Sequence, residues 1–297
     1  MKPIPHSIRG NIFVALSGTL FGCLGYLGTQ LIDMNLSLEN MLFWRFLFAS
    51  LFMLPSIVLL KQMLTTHKTE QITLVRTLLF GIILYTANSS LYFLGSHYIG
   101  TGLAMVVFFC FPVFVTLLMW LFGGWKANIY AISALIAVGI GLLFLKGYGD
   151  ETIDMMGVFF SIMGALGYAL YIFINRHHAK TIDTRLLTLF VCIGNTLLFF
   201  LWALFTQSFF IPTTWEAWFY ILAIGIIATA LPIRFMLDGM KYVSPIKASI
   251  LSVLEPIVTL GIGFLLLEER VSVLQLIGIG IILIGAIAIQ FERNSTN

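Results

Sequence analysis

The chain has 297 residues, of which 60% are hydrophobic and only 10% are charged, and its mean hydropathy is +1.01. Soluble domains usually carry about a quarter charged residues, so this composition excludes an ordinary soluble protein and indicates one that lies in a lipid bilayer. The formal net charge is a small +3, and we expect no nucleic-acid partner.

Apolar stretches of the length that a bilayer requires recur almost from end to end. A spanning helix needs roughly 20 apolar residues, and these stretches lack the alternating pattern of membrane barrels. We predict an all-α integral membrane protein with about ten transmembrane helices, at Gly10–Ile32, Met41–Leu60, Thr73–Leu94, Tyr98–Phe122, Asn128–Leu145, Met155–Asn175, Leu186–Phe205, Trp215–Arg234, Pro245–Leu267 and Val273–Gln290.

Lysine and arginine are distributed unevenly over the predicted connections. Thirteen of the 16 lie near the termini or in the connections that follow even-numbered spans; Lys146 and Arg270 lie in the others, and Arg45 lies within a span. The positive-inside rule therefore predicts a multi-pass protein, of a bacterial inner membrane, with both termini in the cytoplasm.

Two parts of the sequence match at a fixed offset. Gly102–Lys126 aligns without gaps on Ile246–Arg270, and this pairs Pro112 with Pro256 at an offset of 144 residues. The match predicts two repeats of five helices, residues 1–147 and 148–297. Because five is odd, the second repeat enters the bilayer inverted, an arrangement that in secondary transporters places the substrate site near the midplane between the repeats.

Glu255 is the one acid that we expect near the midplane. An ionisable group in hydrocarbon is costly unless it faces a cavity or has a partner. Glu255 is thus a candidate proton carrier or anchor for a substrate amine; the alternative is a structural hydrogen bond, for example to backbone freed by Pro256. Pro112 and Pro256 remove helix hydrogen bonds at equivalent depths, which makes them candidate hinges.

Arg45 is expected about one helical turn inside the second span, counted from the outer surface. It could hold a substrate carboxylate through a bidentate contact. It could equally extend outward to the membrane surface, or pair with Asp33 or Glu39 in the neighbouring loop.

Five further side chains are candidates for contact with a substrate. Asn88 on the third span and Asn195 on the seventh are at a suitable depth, although hydrogen bonds between helices explain them equally well. Tyr26, Tyr168 and Tyr171 belong to the first span and to its counterpart, the sixth. They could form an aromatic wall for an amphipathic ligand, or they could simply pack together.

The stretch from Gly239 to Ile287 carries Glu255–Pro256, a following acidic loop with Glu268, and Gly278 and Gly285. In this order the features resemble the EamA-type ten-helix members of the drug/metabolite transporter superfamily. The resemblance implies a basket of ten helices with a central cavity lined by the first four helices of each half. It also implies that the fifth and tenth helices pack outside, where Gly139, Gly141, Gly278 and Gly285 would allow close approach, and where a homodimer could form.

The sequence favours a secondary-active transporter that works by alternating access. Its expected substrate is a small amphipathic metabolite such as an amino acid. We expect transport to be coupled to protons or to exchange, and the sequence leaves export open as its direction. A passive facilitator, a uniporter or a drug efflux protein is the alternative. An intramembrane enzyme is disfavoured because the midplane offers one Glu and no His. The cysteines lack the spacing of a metal site, and we expect no cofactor.

Overall fold

The structure is a computed structural model that describes residues 6–59, 68–124, 129–145, 153–176, 183–244, 247–248, 251–252 and 254–288. Within these residues the regular elements are all helical. They are α1 (His6–Phe21), α2 (Leu24–Asp33), α3 (Leu38–Met53), a 3-10 segment (Leu54–Leu59), α4 (Lys68–Ile99), α5 (Thr101–Phe108), α6 (Phe111–Phe122), α7 (Ile129–Leu145), α8 (Met155–Asn175), α9 (Thr184–Phe205), α10 (Trp215–Leu222), a π-helical segment (Ala223–Ala230), α11 (Leu231–Met240), α12 (Leu254–Leu266) and α13 (Val273–Ala288).

The prediction of an all-α protein with about ten membrane helices is confirmed, because every predicted span coincides with one or more of these helices. In the described part of the chain, six helical segments are long and apolar enough to cross a membrane by length and composition, and α12 and α13 are shorter apolar helices. The six are Ile8–Asp33, Val75–Ile99, Thr101–Phe122, Met155–Asn175, Arg185–Phe205 and Trp215–Met240.

Several of the predicted spans are interrupted near mid-length. The first is broken between α1 and α2, the fourth between α5 and α6, and the eighth contains the π-helical segment. Pro112 is the second residue of α6, so its missing N–H falls among first-turn groups that need no partner within the helix. The break at Phe109 and Cys110 directly precedes the proline, at the turn where residue 112 would otherwise donate to the Phe108 carbonyl, and the role of Pro112 as a hinge stays a prediction.

The helices pack in pairs around a common centre. α4 lies against α8, α1 against α11, and α3 against both α9 and the π-helical segment. α7 and α13 pack mainly against each other, with Gly141 directly facing Gly278. α4 also packs against α9, so exchanging the first five predicted spans with the last five converts each of these pairs into itself or into another of them. The inverted orientation of the two repeats in a bilayer stays a prediction.

Candidate functional site

A narrow cavity lies at the centre of the bundle. It has a volume of about 20 Å³, which is room for about one water molecule. Side chains from seven helices in both halves of the chain surround it, so no single stretch of sequence encodes the site. The lining residues are Phe21, Leu24, Arg45, Tyr85, Asn88, Ser89, Tyr92, Met105, Phe108, Tyr168 and Glu255.

Glu255 reaches the cavity from the first turn of α12. Its side chain is 4% exposed, and its Oε2 atom has no hydrogen-bond partner among the described residues. The turn that carries it packs directly on the end of α1 at Gly22, where a Cβ atom would lie only 2.5 Å from Cβ of Val258. The Thr259 hydroxyl joins the two segments, since it lies 2.9 Å from the carbonyl oxygen of Glu255 and 3.0 Å from that of Gly22.

Arg45 faces the same cavity and is only 1% exposed. Its Nε donates a hydrogen bond of 2.6 Å to Thr229 Oγ1, and its Nη1 has no partner in the described structure. Both structural alternatives for Arg45 are therefore wrong. α3 is held between α9 and the π-helical segment, which directs the guanidinium inward, and Glu39 instead accepts a hydrogen bond from Thr206.

The π-helical segment positions the partner of Arg45. The Thr229 hydroxyl donates to the carbonyl oxygen of Ile224, five residues earlier, at 2.7 Å. Its proton is thus committed to the backbone, and its oxygen remains free to accept the bond from Arg45. π-helical turns are rare and are frequent at functional sites. Sequence reasoning missed Thr229. The one feature of the sequence that could have identified it is a hydroxyl side chain within an apolar span.

Arg45 and Glu255 line one cavity without forming an ion pair; the ion pairs of the described residues involve other side chains. Each keeps a buried polar atom without a partner, Nη1 on one side and Oε2 on the other. Buried charged groups are normally paired, because a buried polar atom without a hydrogen-bond partner costs free energy. The arrangement can bind a ligand that carries an anionic and a cationic group.

Asn88 and Tyr168, both sequence candidates, also line the cavity. Asn88 is 6% exposed, and its Nδ2 has no partner among the described residues, as is true of the Tyr92 hydroxyl. Ser89, in the same polar run of the third span, lines the cavity beside Asn88, and so do Tyr85 and Tyr92, which sequence reasoning missed. Their spacing of three or four residues along α4 marks a single helix face, and this was the signal that could have found them.

The three remaining candidates lie away from the lining. Asn195 is fully buried between α9 and α4, where it accepts a hydrogen bond of 2.8 Å from Thr86 Oγ1 and donates one of 2.8 Å to the carbonyl of Val191. Tyr26 is half-buried beside Tyr220, with 6.3 Å between ring centroids. Tyr171 lies behind the wall of the cavity, where its ring stacks on that of Tyr168 at 6.1 Å.

Several known proteins are similar to this chain. A transporter of Archaeoglobus fulgidus named as uncharacterized is 27% identical over 63% of this chain and 66% of its own length, just under two thirds. The Bacillus subtilis proteins YcbK and YxxF, also named uncharacterized transporters, are 23% identical over 73% and 24% identical over 92% of this chain, and the matches cover 72% and 87% of their own lengths.

The fold also has a solved counterpart. A crystal structure of another protein superposes with a TM-score of 0.66 over 94% of this chain and 96% of that one, at 16% sequence identity. At this identity the likeness shows the fold alone. The model of the EamA-like transporter family matches residues 8–146 and again residues 155–291. The chain therefore belongs to the EamA-like transporter family of multi-pass membrane proteins.

Proposed function

We propose that the protein is a secondary-active transporter of a small zwitterionic metabolite such as an amino acid. One observation carries this substrate class: Arg45 Nη1 and Glu255 Oε2 are both buried and unpartnered, and both residues line one cavity. A substrate carboxylate would accept hydrogen bonds from the guanidinium, and a substrate ammonium would donate to the carboxylate. The aromatic side chains of the same lining suit an apolar substrate body.

The size of the cavity supports alternating access as the mechanism. A space of about 20 Å³ holds no metabolite, so the substrate must enter when the surrounding helices separate. Binding then offsets the cost of the unpaired charges, which favours closure around a substrate that has both. We infer coupling to protons or to exchange, with Glu255 as the group that can carry a proton.

Two other functions fit the site less well. A drug efflux protein for apolar compounds would leave Arg45 Nη1 and Glu255 Oε2 without partners after binding. An enzyme would need several reactive groups at one place. The described lining residues include one carboxylate, no histidine and no cysteine, so we infer that this cavity is not an active site.

Matched ligands test the proposed substrate class. We expect amino acids from a panel to raise the melting temperature of the purified protein, because a ligand at a hundredfold its Kd stabilises the folded state by about 2.7 kcal/mol. For each active amino acid, the amine and the carboxylic acid with the same carbon skeleton are measured beside it. Each should stabilise the protein less, since each leaves one charged residue unpaired.

Equal stabilisation by the amine alone or by the acid alone would contradict a two-charge site. No stabilisation by any member of the panel would contradict the substrate class itself. The variants Glu255→Gln and Arg45→Lys serve as controls, because binding at this cavity must weaken when either charged group is altered.

We also propose that both termini are cytoplasmic and that the repeats are inverted. Single cysteines at Asp33, which ends α2, and at Arg176, which directly follows α8, mark the end of the first span in each half and should then react with an impermeant thiol reagent from opposite sides of the membrane. A cysteine at the exposed Ser244 should react only from the cytoplasmic side. Labelling of the Asp33 and Arg176 positions from the same side would contradict the inverted arrangement.

A further inference from the structure

A carboxylate of the second half of the chain is bound to the start of a helix in the first half. Glu269 Oε1 accepts hydrogen bonds of 2.6 Å from both the backbone N and the Oγ1 of Thr101, and Oε2 accepts one of 2.8 Å from the backbone N of Gly102. Thr101 and Gly102 are the first residues of α5. Unpaired backbone N–H groups at a helix N-terminus favour an anion, so this is a strong contact for Glu269.

The local backbone aims Glu269 at α5. After α12 the chain reverses: the backbone N of Leu267 and that of Glu269 both donate to the carbonyl of Gly263, at 3.1 Å each, while Glu268 adopts a left-handed conformation with φ of 53°. The carboxylate then fits against two glycines. A Cβ atom on Gly263 would lie 2.5 Å from Glu269 Oε2, and one on Gly102 would lie 2.8 Å from it.

The two helices that this contact joins are also walls of the central cavity. α12 contributes Glu255 to the lining, and α5 contributes Met105 and Phe108. Along α5, Thr101 precedes Met105 by about one helical turn, so the contact lies just beyond the cavity toward the end of the bundle where α4 ends and α5 begins. At that end, α5 cannot move away from α12 unless the hydrogen bonds of Glu269 break.

We propose that Glu269 is a gating residue of the transport cycle: its carboxylate, bound to the N-terminus of α5, closes the cavity at one end, and its release accompanies opening there. The end in question is the outer one in the proposed topology. The inference rests on the proposed function, since it takes the cavity as the transport site, but it does not depend on which substrate is carried.

Accessibility of a cysteine in the cavity tests the gate without a substrate. Ser89 is 3% exposed and lines the cavity, so Ser89→Cys is introduced into the full chain after Cys23, Cys110 and Cys192 have been changed to alanine. An impermeant thiol reagent is applied from outside to intact cells or oriented vesicles. Glu269→Ala removes all three acceptor contacts and is expected to raise the labelling rate at least tenfold.

A pair of matched variants separates the gate from a general effect of charge. Glu269→Gln and Glu268→Gln each remove one negative charge from the same loop. In Glu269→Gln, an amide NH₂ group replaces the carboxylate oxygen that accepts from the Gly102 N–H, while the other oxygen can still accept from Thr101. We therefore expect the labelling rate to rise by less than in Glu269→Ala. The Glu268 side chain makes no hydrogen bond in the described structure, so Glu268→Gln is expected to label at the starting rate.

Three results would overturn the proposal: an unchanged labelling rate in folded Glu269→Ala, an equal increase in Glu268→Gln, or an increase that occurs only from the cytoplasmic side. Folding is checked by monodisperse elution and by the melting temperature. If Glu269→Ala does not fold, an unchanged rate in folded Glu269→Gln overturns the gate. Ligand stabilisation with unchanged labelling rejects the gate alone, whereas increased labelling without stabilisation by any amino acid rejects the proposed substrate class alone.

Discussion

Glu255→Gln is expected to abolish proton-driven accumulation of the substrate while the protein stays folded. Glutamine has nearly the shape of the protonated acid, so the packing of this 4% exposed side chain is kept. It cannot release a proton, and the step that couples transport to a pH gradient is therefore lost. Exchange of substrate for substrate should survive at saturating substrate, although the variant binds the substrate more weakly, because that partial cycle requires no net movement of protons.

The measurement compares three quantities in proteoliposomes that contain the variant. Uptake driven by an imposed pH gradient should fall to background, exchange at saturating substrate should remain within a few-fold of the starting protein, and the melting temperature should change little. Glu216→Gln is a suitable control, since it removes one acid from an exposed position in the first turn of α10. Undiminished proton-driven uptake by Glu255→Gln would rule out the proton-carrier role.

Other outcomes for the same variant distinguish the remaining roles of Glu255. If the carboxylate chiefly anchors a substrate amine, binding should weaken at every pH, and exchange should fall together with uptake. If its role is structural, the melting temperature should drop while transport per folded molecule is unchanged. These readings predict different combinations of the three measured quantities.

Arg45→Lys is expected to weaken binding of a zwitterionic substrate by a factor of ten or more. The guanidinium donates from Nε to Thr229 and keeps Nη1 free for the cavity at the same time. A lysine ammonium is a compact point charge on a flexible chain and cannot reproduce this fixed pair of directions. Binding of the matched amine, which has no carboxylate, should change much less.

Substitutions of Thr229 test whether the orientation of the Arg45 guanidinium matters for stability and for binding. Thr229→Val keeps the shape of the side chain but leaves the buried Nε without an acceptor, which should reduce the free energy of unfolding by about 1–3 kcal/mol. Thr229→Ser keeps the hydroxyl and is the matched control. Because the two residues are in contact, Arg45→Lys and Thr229→Val should be non-additive for both stability and binding. Additive effects would contradict a positioning role for Thr229.

Hydropathy was sufficient to locate the helices. Each predicted span overlaps a helix of the structure, since a segment that crosses a bilayer must be apolar along its length and must form most of its backbone hydrogen bonds within itself. The finer geometry was harder to predict. The π-helical segment at Ala223–Ala230 and the break before Pro112 leave the hydropathy of their spans intact, and a profile based on composition therefore misses them.

The candidate site was recovered in part. Glu255, Arg45, Asn88 and Tyr168 meet at the cavity. The first two were singled out because a charge in an apolar span is costly, an argument that holds for any fold. Asn195 is the same kind of residue as Asn88, yet its side-chain amide already forms hydrogen bonds with Thr86 and Val191 and does not line the cavity. The difference depends on which neighbour each helix face meets.

The amino-acid sequence by itself determined that this is a helical membrane protein, where its spans run, and which charged groups must have a reason to lie inside them. Those properties follow from local composition and the cost of transfer into lipid. Only the tertiary structure decided that Arg45 is turned inward onto Thr229, that it shares a cavity with Glu255 without touching it, and that Glu269 reaches Thr101. Each of these arrangements brings together residues more than 160 positions apart, and it depends on how the helices of the two halves pack together.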